Sequence, residues 1–367
     1  MVRLQAPQIS RKTLVQEVVC TRPTRAGCFK IELEQIGSKQ VINCTGHGGA
    51  GWTTLFGFIK QALKQTPKGH PIHIVGSGCM GLTAAIELKR QGAIVAGITT
   101  MSLYDNASWK AAGYFALIKM EATPAEEAIA HEMGIDTFLT FRQIESGRHP
   151  YLSKKCARFL PVYSSPKMET GNEKLIQMGL IPPKKEVTLD FGSGVLHKDY
   201  EEFMTYFMST SLIMRELLEE VKRLGIPIHV QKITSFEELR EEIIFNCSGM
   251  GGRELCKDAK LSGVRGHLIM LHDPYPSHEP GIHPQDYMIY STLMQEEKEE
   301  YLYMFPKDFF VTPLFPEGAS STVALGGTFL PNVDQLSQEE QEQLDCREFK
   351  KMLDRHSLFF HGKPFTY

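Results

Sequence analysis

The order of apolar and polar positions along the chain predicts a mixed α/β protein. Residues Cys28–Glu34 alternate apolar and polar side chains, which is typical of a half-buried strand. Short apolar runs next to glycines predict buried strands at 40–44, 72–75 and 243–246. Apolar residues that recur at helical spacing predict helices at 53–63, 82–91 and 212–224. Strands and helices therefore alternate through much of the chain.

The middle and the end of the chain have a different pattern. Residues 125–205 are irregular and rich in proline, and they predict only short helices. A set of strands is predicted at 264–271, 302–305, 309–312 and 323–325. The charged insert Gln295–Glu300 interrupts this set, and 338–353 is predicted to be a polar helix exposed to solvent. The length of 367 residues predicts two domains.

Composition and charge exclude several classes of protein. Apolar residues make up 42% and charged residues 23%, which is typical of a soluble globular chain. The net charge is -3, and no basic cluster predicts binding to nucleic acid. No apolar run approaches the roughly 20 residues that span a bilayer, and the amino terminus lacks the apolar centre of a signal peptide. We therefore expect a cytoplasmic protein without nucleic-acid or membrane partners.

The cysteines and histidines form no pattern of a disulfide framework or a metal site. The eight cysteines are scattered without a C-x-x-C pair, which predicts reduced thiols in a cytosolic protein. Four histidines in one stretch match no helical or tetrahedral set of metal ligands: His267, His272, His278 and His283. We therefore expect no metal.

A glycine-rich turn between a predicted strand and helix has the G-x-G-x-x-G pattern. Gly76 allows a tight turn, Gly78 lets the backbone approach a pyrophosphate, and Gly81 lets helix and strand pack closely. The amino terminus of the helix offers free N–H groups and a positive dipole. The usual ribose-binding acid is missing, because Ile98 or Thr99 occupies its position. The pattern favours FAD with an altered ribose contact over NAD, and a degenerate dinucleotide site is the alternative.

One motif occurs twice in the chain. Ile-Asn-Cys-Thr-Gly-His-Gly-Gly ends at Gly49, and Phe-Asn-Cys-Ser-Gly-Met-Gly-Gly ends at Gly252. The distance between the two copies excludes a solenoid repeat. Two strands that end in glycine turns predict two places where the backbone approaches something closely.

These motifs resemble the D-amino-acid oxidase family of FAD-dependent oxidoreductases, which includes the glycine oxidases. Residues 74–85 are similar to the first strand and helix of the family, and 108–113 are similar to its flavin-contacting loop. Further segments match in order at 209–213, 232–238, 244–249, 263–268 and 325–329. The resemblance covers 72–330 and is weak from 120 to 205.

Two motifs of the family's carboxyl-terminal region are found at the start of this chain. Thr21–Arg25 resembles the family's Arg-Pro-x-Arg, and Gly46–Thr53 resembles its Gly-His-Gly-Gly-x-Gly-x-Thr flavin loop. The resemblance therefore implies a circular permutant, in which 64–71 joins the family's last helix to its first strand. Such permutation is tolerated where the termini of the parent fold lie close together on the surface.

The resemblance implies an α/β fold with a Rossmann-type FAD-binding domain and a mainly antiparallel β substrate domain. The FAD domain would comprise 1–125 and 206–262, the substrate domain 126–205 and 263–335, and a helix and tail at 336–367 would return to the FAD domain. The residues that the resemblance implies for FAD contact are Gly48, Gly49, Gly51, Trp52, Thr53, Gly76, Gly78, Cys79, Met80, Gly81, Ala111, Ala112, Gly113, Ile233, Ser248 and Gly249.

The resemblance also implies a reaction and its residues. Arg22 would bind the substrate carboxylate, because a guanidinium matches two oxygens. The Gly49 carbonyl would orient the amine, while His47 is expected to pack in its loop and not to catalyse. Tyr303 is a candidate for one of two tyrosines that cover the substrate in eukaryotic members, and Phe310 occupies the place of the other.

We therefore expect an FAD-dependent oxidase of a small amino acid, either a D-amino acid or a glycine-like amine. Hydride would pass from the α-carbon to flavin N5, and oxygen would reoxidise the flavin. The alternatives are a flavin-dependent dehydrogenase, a secondary-amine oxidase, and a flavin-binding protein without turnover.

Overall fold

Two β-sheets organise the computed structural model, and helices pack against both of them. The structure describes residues 1–117, 123–166, 168–272, 280–295, 298–307 and 322–366. The strands are β1 Val2–Arg3, β2 Leu14–Arg25, β3 Leu33–Ile36, β4 Lys39–Asn43, β5 Ile72–Val75, β6 Val95–Thr100, β7 Ala157–Ser164, β8 Lys185–Asp190, β9 Leu196–Met208, β10 Ile228–Val230, β11 Ile243–Asn246, β12 Leu261–His272, β13 Met288–Gln295, β14 Lys298–Lys307, β15 Thr322–Gly326 and β16 Leu330–Pro331. The helices are α1 Gly51–Lys64, α2 Cys79–Arg90, α3 Ala107–Lys110, α4 Pro124–Glu145, α5 Glu173–Gln177, α6 Thr210–Arg223, α7 Gly252–Leu255 and α8 Gln338–His361.

The smaller sheet has six strands in the order β10-β6-β5-β11-β4-β3. Its neighbours pair in parallel except β3 and β4, which form an antiparallel edge. All residues of β5 and β11 are buried, as expected for central strands of a parallel sheet. The pairing of β11 with β4 and with β5 places the predicted strands at 40–44, 72–75 and 243–246 in one sheet. The carboxyl ends of these parallel strands therefore meet at one edge, where α/β sheets bind ligands.

The larger sheet has ten strands in the order β1-β8-β9-β7-β13-β14-β15-β12-β16, with β2 paired to β12. Most neighbours are antiparallel, while the pairs β1–β8 and β7–β13 are parallel. This sheet is the mainly antiparallel part that the sequence predicts. The long pairing between β2 and β12 fixes the segment that carries Arg22 on this sheet, opposite Val264.

The two sheets divide the chain differently from the predicted domains at two places. Residues 1–25 were assigned to the FAD domain but contribute β1 and β2 to the ten-stranded sheet. Helix α4 falls in the predicted substrate segment 126–205, yet it packs on α1 beside the smaller sheet. A side chain at Gly57 of α1 would collide with the Met133 backbone of α4, so this glycine allows the two helices to approach.

Several elements differ from the sequence prediction in extent. Helix α2 begins at Cys79 and not after Gly81, so Gly81 lies in its first turn. Within 125–205 the prediction of only short helices is wrong, because α4 has 22 residues. A capping box between Thr123 and Glu126 starts this helix. The buried residues of the helix lie along one of its faces.

The charged insert and the last helix also differ from the prediction. The insert Gln295–Glu300 carries the ends of two paired strands, since Gln295 lies opposite Lys298. The polar helix predicted at 338–353 extends to His361, and its second half is not solvated. It buries a set of side chains against the larger sheet: Phe349, Met352, Leu353, Phe359 and Phe360. The predicted strand at 309–312 lies outside the described residues.

The end of α8 lies beside the amino-terminal segment. The His361 Nε2 and the Pro7 carbonyl oxygen are 3.0 Å apart. The end of α8 is therefore in contact with the segment that follows β1. No helix in the described parts of the chain is both long enough and apolar enough to cross a membrane.

Candidate active site

A cavity of about 1280 Å³ lies between the carboxyl edge of the smaller sheet and the face of the larger sheet. The ends of β4, β5, β6 and β11 form one wall, while β2, β12, β13 and β14 contribute the other. Of the residues that the sequence nominates, all except Gly81 line this cavity. Arg22, Gly49 and Tyr303 are therefore brought together with the two glycine turns, although they are far apart in sequence.

The turn from β5 to α2 is built on three glycines. Gly76 has a φ of +108°, and a side chain there would collide with the Cys247 carbonyl. Gly78 is the N-cap of α2, and the first residues of the helix, Cys79 and Met80, line the cavity. A side chain at Gly81 would collide with the Gly76 carbonyl oxygen. Gly81 thus has the close-packing role that the motif predicts and does not line the cavity.

The second glycine turn leads from β4 into α1. Gly46 and Gly48 have positive φ, and the backbone then turns directly into the helix at Gly51. The buried His47 ring lies 5.6 Å from the Phe29 ring and 4.3 Å from the Phe58 ring. Burial lowers the pKa of His47 to about 3, so the imidazole is neutral at pH 7. These contacts agree with the predicted packing role of His47.

The Ala111–Gly113 loop is held from behind by a buried lysine that sequence reasoning missed. Lys307 of β14 is 1% exposed, and its ammonium donates to the carbonyls of Trp109 at 3.1 Å and Ala111 at 2.6 Å. It also donates to the Thr210 hydroxyl at 2.5 Å. A lysine at the end of an apolar strand was the signal, because lysine is seldom buried without oxygen partners. Lys307 therefore links the larger sheet to the loop.

The same loop is also tied to the smaller sheet. The Cys79 amide donates to the Ser108 hydroxyl at 2.9 Å, so the start of α2 is joined to α3, the short helix that immediately precedes the loop. The Trp52 indole N–H donates to the Ser108 carbonyl at 3.3 Å. Three separate segments of the chain thus meet at Ser108.

Hydroxyl groups lie where a ribose-binding acid normally stands. The hydroxyls of Ser77 and Thr100 are 2.9 Å apart, and both residues line the cavity beyond β6. The nearest acid, Asp105, is largely exposed and pairs with Lys110 at 2.6 Å. Ile233 lines the cavity on the same side. The Ser77 and Thr100 hydroxyls each lie 3.0 Å from the Ser102 carbonyl oxygen, to which they can donate.

Arg22 lies in a gap that a glycine creates. A side chain at Gly266 of β12 would collide with the Arg22 guanidinium. This guanidinium donates to the Thr328 carbonyl at 3.2 Å and lies 4.5 Å from the centroid of the Phe329 ring. Gly49 is adjacent, since a Cβ built on it would be 4.0 Å from the Arg22 Cδ. The arginine is thus positioned inside the cavity and next to the second glycine turn.

Arg25 points away from the cavity, as its position three residues further along the strand predicts. Its guanidinium pairs with Asp258 at 2.9 Å and donates to the Cys28 carbonyl at 2.9 Å. It does not line the cavity. The two arginines of the Arg-Pro-x-Arg motif therefore have different surroundings.

Aromatic rings form one wall of the cavity beside Arg22. Tyr303 stacks on Phe305 at 4.7 Å, and Phe305 stacks on Tyr114 at 5.2 Å. Tyr290 lies 5.3 Å from Tyr114. Burial raises the pKa of Tyr303, and the nearby Arg22 charge partly opposes this rise. We call these four rings the aromatic wall.

Three members of the aromatic wall were missed at the sequence level. Tyr114, Tyr290 and Phe305 come from different elements, and only tertiary pairing brings them next to Tyr303. The alternation along β14, which places Tyr303 and Phe305 on one face, could have revealed the second of them. Phe310, which the resemblance compares with a second substrate-covering tyrosine, lies outside the described residues.

No group of three or more metal-ligating side chains occurs in the described parts of the chain. His267 and His272 lie on β12, while His283 lies in a separate segment, and His278 is not among the described residues. The His267 Nε2 lies 2.8 Å from an Asp345 oxygen, so this histidine has a structural contact.

The cavity suits FAD in three respects. Gly76 and Gly78 line the cavity without side chains, so a ligand can approach the backbone of the turn. The amino terminus of α2 faces the same space, and helix amino termini favour pyrophosphate. The volume exceeds the roughly 300–1,000 Å³ of ordinary small-molecule pockets, so a dinucleotide and a substrate can share it.

Known proteins resemble this chain over different lengths. A 67-residue segment is 37% identical to a D-amino acid oxidase of Dugesia ryukyuensis, covering 17% of this chain and 20% of that enzyme. The match thus spans about a fifth of the length of that relative. Among solved structures, an iminodiacetate oxidase of Chelativorans sp. BNC1 is 14% identical, with 79% of each chain covered and a TM-score of 0.47.

A second solved structure is an L-amino acid deaminase of Proteus myxofaciens, which is 12% identical with a TM-score of 0.44. The match covers 89% of this chain and 64% of that enzyme. The family model named FAD dependent oxidoreductase, abbreviated DAO, matches residues 72–356 and therefore most of the chain. This match agrees with the glycine turn and cavity, and the chain therefore belongs to the DAO family of FAD-dependent oxidoreductases, with FAD as its cofactor.

Proposed function

We propose that this protein is an FAD-dependent oxidase of a small amine or α-amino acid, either a D-amino acid or a glycine-like amine. The observation that carries the proposal is the position of Arg22 inside the cavity, between the second glycine turn and the aromatic wall. A guanidinium there fits a substrate carboxylate, while the rings exclude water from the carbon that reacts.

Arg22 and Tyr303 would together bind the carboxylate. The Tyr303 hydroxyl is within hydrogen-bonding reach of Arg22, and this ring is only 5% exposed. Hydrogen bonds to a charged group are shorter and stronger than those between neutral groups. The contact of Arg22 with the Thr328 carbonyl holds the guanidinium in position before substrate enters.

The chain's own groups would orient the amine and need not remove a proton from carbon. The Gly49 carbonyl lies beside Arg22 and can accept a hydrogen bond from a neutral amine. His47 cannot supply a proton at neutral pH, because burial lowers its pKa to about 3. FAD, when bound, would supply the redox chemistry as the acceptor of a hydride equivalent.

We also propose that the fold is a circular permutant of the family. The family match begins at residue 72, at the strand β5, while the two motifs that resemble the family's carboxyl-terminal region precede it. The contact between His361 and Pro7 supports the permutation. It shows that the end of α8 and the amino-terminal segment lie close together, so a short connection could join them in an unpermuted chain. A rearranged chain, 72–366 followed by a glycine-serine linker and 1–64, should fold and bind FAD as the natural chain does. Failure of a soluble rearranged chain to bind FAD would contradict this proposal.

A cytoplasmic location is the remaining part of the proposal. All eight cysteines are free thiols. Free thiols are typical of proteins in a reducing compartment. Fractionation of cells that express the protein would test this location.

Aerobic turnover tests the proposed activity. The FAD-loaded protein should release peroxide and ammonia from at least one member of a panel of D-amino acids, glycine and N-methylated amines. Turnover with an artificial electron acceptor but without oxygen consumption would indicate a dehydrogenase. Reaction only with N-methylated amines would indicate a secondary-amine oxidase, and a panel without any turnover would contradict the enzyme proposal.

A further inference from the structure

The motif that occurs twice in the chain places two cysteines side by side. Strands β4 and β11 pair in parallel with Asn43 opposite Asn246, so Cys44 and Cys247 follow at the next matched positions. The Cys44 amide continues the ladder by donating to the Asn246 carbonyl at 2.9 Å. The echo in the sequence therefore corresponds to two adjacent strands of one sheet.

The asparagines and the cysteines occupy opposite faces of these strands, because successive side chains of a strand alternate. On one face, the Asn246 side-chain amide donates to the Asn43 oxygen at 2.9 Å. On the other face, Cys44 and Cys247 lie side by side, and the neighbouring Cys44 thiol helps to raise the pKa of Cys247 well above its ordinary value. Both cysteines are buried, at 2% and 8% exposure, and both line the cavity.

The spacing of the strands suits a covalent bond between the two sulfur atoms. Neighbouring strands lie about 4.7–4.9 Å apart, and disulfide-linked Cα atoms are about 4.4–6.8 Å apart. The parallel register already brings the two positions together, so neither strand has to leave the sheet. The two glycine turns leave from the ends of these same strands, at Gly46 and Gly249.

We propose that Cys44 and Cys247 form a reversible disulfide when hydrogen peroxide reaches the cavity. One sulfur attacks a peroxide oxygen to give a sulfenic acid and one water. The second sulfur then displaces the hydroxyl group as a second water and forms the S–S bond. Two thiols and one peroxide thus give one disulfide and two waters, and a thiol reductant reverses the change. Peroxide made inside the cavity rests on the proposed oxidase function, whereas the dithiol itself does not.

The other cysteines near this site do not lie at matched positions on two neighbouring strands. Cys256 lies on the opposite face, where its sulfur accepts from the Asn246 amide at 3.0 Å. Cys79 lies at the start of α2 and also lines the cavity, so it is the competing partner for Cys247. Burial raises the pKa of Cys79 to about 11, and the Cys44 thiol together with burial raises the pKa of Cys247 well above its ordinary value. The strand register, and not the pKa, therefore favours Cys44 as the partner of Cys247. Cys346 is exposed and can link two chains.

Disulfide mapping of the FAD-loaded full chain tests the proposal. A Cys346→Ser protein, treated with hydrogen peroxide and then blocked with N-ethylmaleimide in denaturant, should give a linked peptide pair that contains Cys44 and Cys247. Two titratable thiols should be lost, and dithiothreitol should restore both. Cys44→Ser and Cys247→Ser should abolish the linked pair, whereas the matched control Cys256→Ser should retain it.

The outcomes separate the dithiol from the oxidase. Recovery of Cys44 and Cys247 as alkylated thiols from the peroxide-treated folded protein would overturn the proposal, and so would a bond between Cys79 and Cys247. Disulfide mapping of the Cys346→Ser protein requires no substitution at Cys44 or Cys247. The mapping result therefore stands even if the Cys44→Ser or Cys247→Ser variant fails to fold. A bond that forms with added peroxide but not with substrate and oxygen supports the dithiol and counts against the oxidase.

Discussion

Replacement of Arg22 by lysine is expected to remove substrate affinity while FAD remains bound. Arg22 contacts the Thr328 carbonyl and the Phe329 ring, and Phe329 and Tyr303 line the cavity beside it. An ammonium cannot reproduce the two-pronged contact with a carboxylate. Removal of one member of a buried, hydrogen-bonded charge pair costs about 2–5 kcal/mol. This corresponds to a loss of about 30- to 5,000-fold in affinity.

Arg25→Lys is the matched control, since the same chemical change is made three residues further along the same strand. Arg25 pairs with Asp258, outside the cavity, so this variant is expected to lose stability but not substrate affinity. The assay is a titration of the bound-flavin absorbance with propionate, a carboxylic acid that cannot react. Urea denaturation of both variants separates loss of affinity from loss of fold.

Gly266→Ala provides an independent test without changing the arginine. A side chain at this position would collide with the Arg22 guanidinium and must displace it. This variant is expected to weaken propionate binding in the same way as Arg22→Lys. Equal propionate affinity in the Arg22 and Arg25 variants, or loss of FAD from Arg22→Lys, would refute the role of Arg22 as the carboxylate ligand.

Three further predictions follow from the cavity and the buried groups. FAD should be bound non-covalently, and at 100 to 1,000 times its dissociation constant it should add about 3–4 kcal/mol to the free energy of unfolding. Gly76→Ala should abolish this gain in a thermal shift assay, because the new side chain would collide with the Cys247 carbonyl. Lys307→Met should weaken FAD binding at least about tenfold in a fluorescence titration, because three hydrogen bonds to the Ala111 loop and α6 are lost; unchanged FAD affinity would contradict that positioning role. Burial lowers the pKa of His47 to about 3 and of His356 to about 4, so the unfolded chain binds protons below pH 6.5 that the folded chain does not. Stability should therefore fall by about 1.4 kcal/mol per pH unit for each histidine between pH 6.5 and 4.5, and equal urea midpoints across this range would contradict the assignment.

The sequence predicted the smaller sheet and its glycine turns well, because their patterns are local. A short apolar run followed by glycines at fixed spacing identifies β5 and the turn to α2 without any tertiary information. Two motifs that lie before this turn in the sequence, at 21–25 and 46–53, also line or border the cavity. The order in which these motifs follow one another in an unpermuted chain came from the resemblance to the family.

The aromatic wall and the buried lysine could not be predicted in the same way. Tyr114, Tyr290 and Phe305 meet only through the pairing of strands that are far apart in sequence. The polar composition of 338–353 concealed a buried face, because α8 changes from solvated to buried along its length. The capping box at Thr123 was the local signal for the long helix α4 that proline content obscured.

The central claim is that one FAD and one amino acid share the cavity, with the substrate bound by Arg22. Anaerobic mixing of the FAD-loaded protein with separate pools of D- and L-amino acids tests this claim most directly. The account predicts that one of the two pools, or glycine added to either of them, bleaches the flavin absorbance at about 450 nm. The same pool at the same concentration should leave the flavin of the Arg22→Lys variant oxidised. A protein that binds FAD in this cavity but stays yellow with both pools, with glycine and with N-methylated amines would contradict the account.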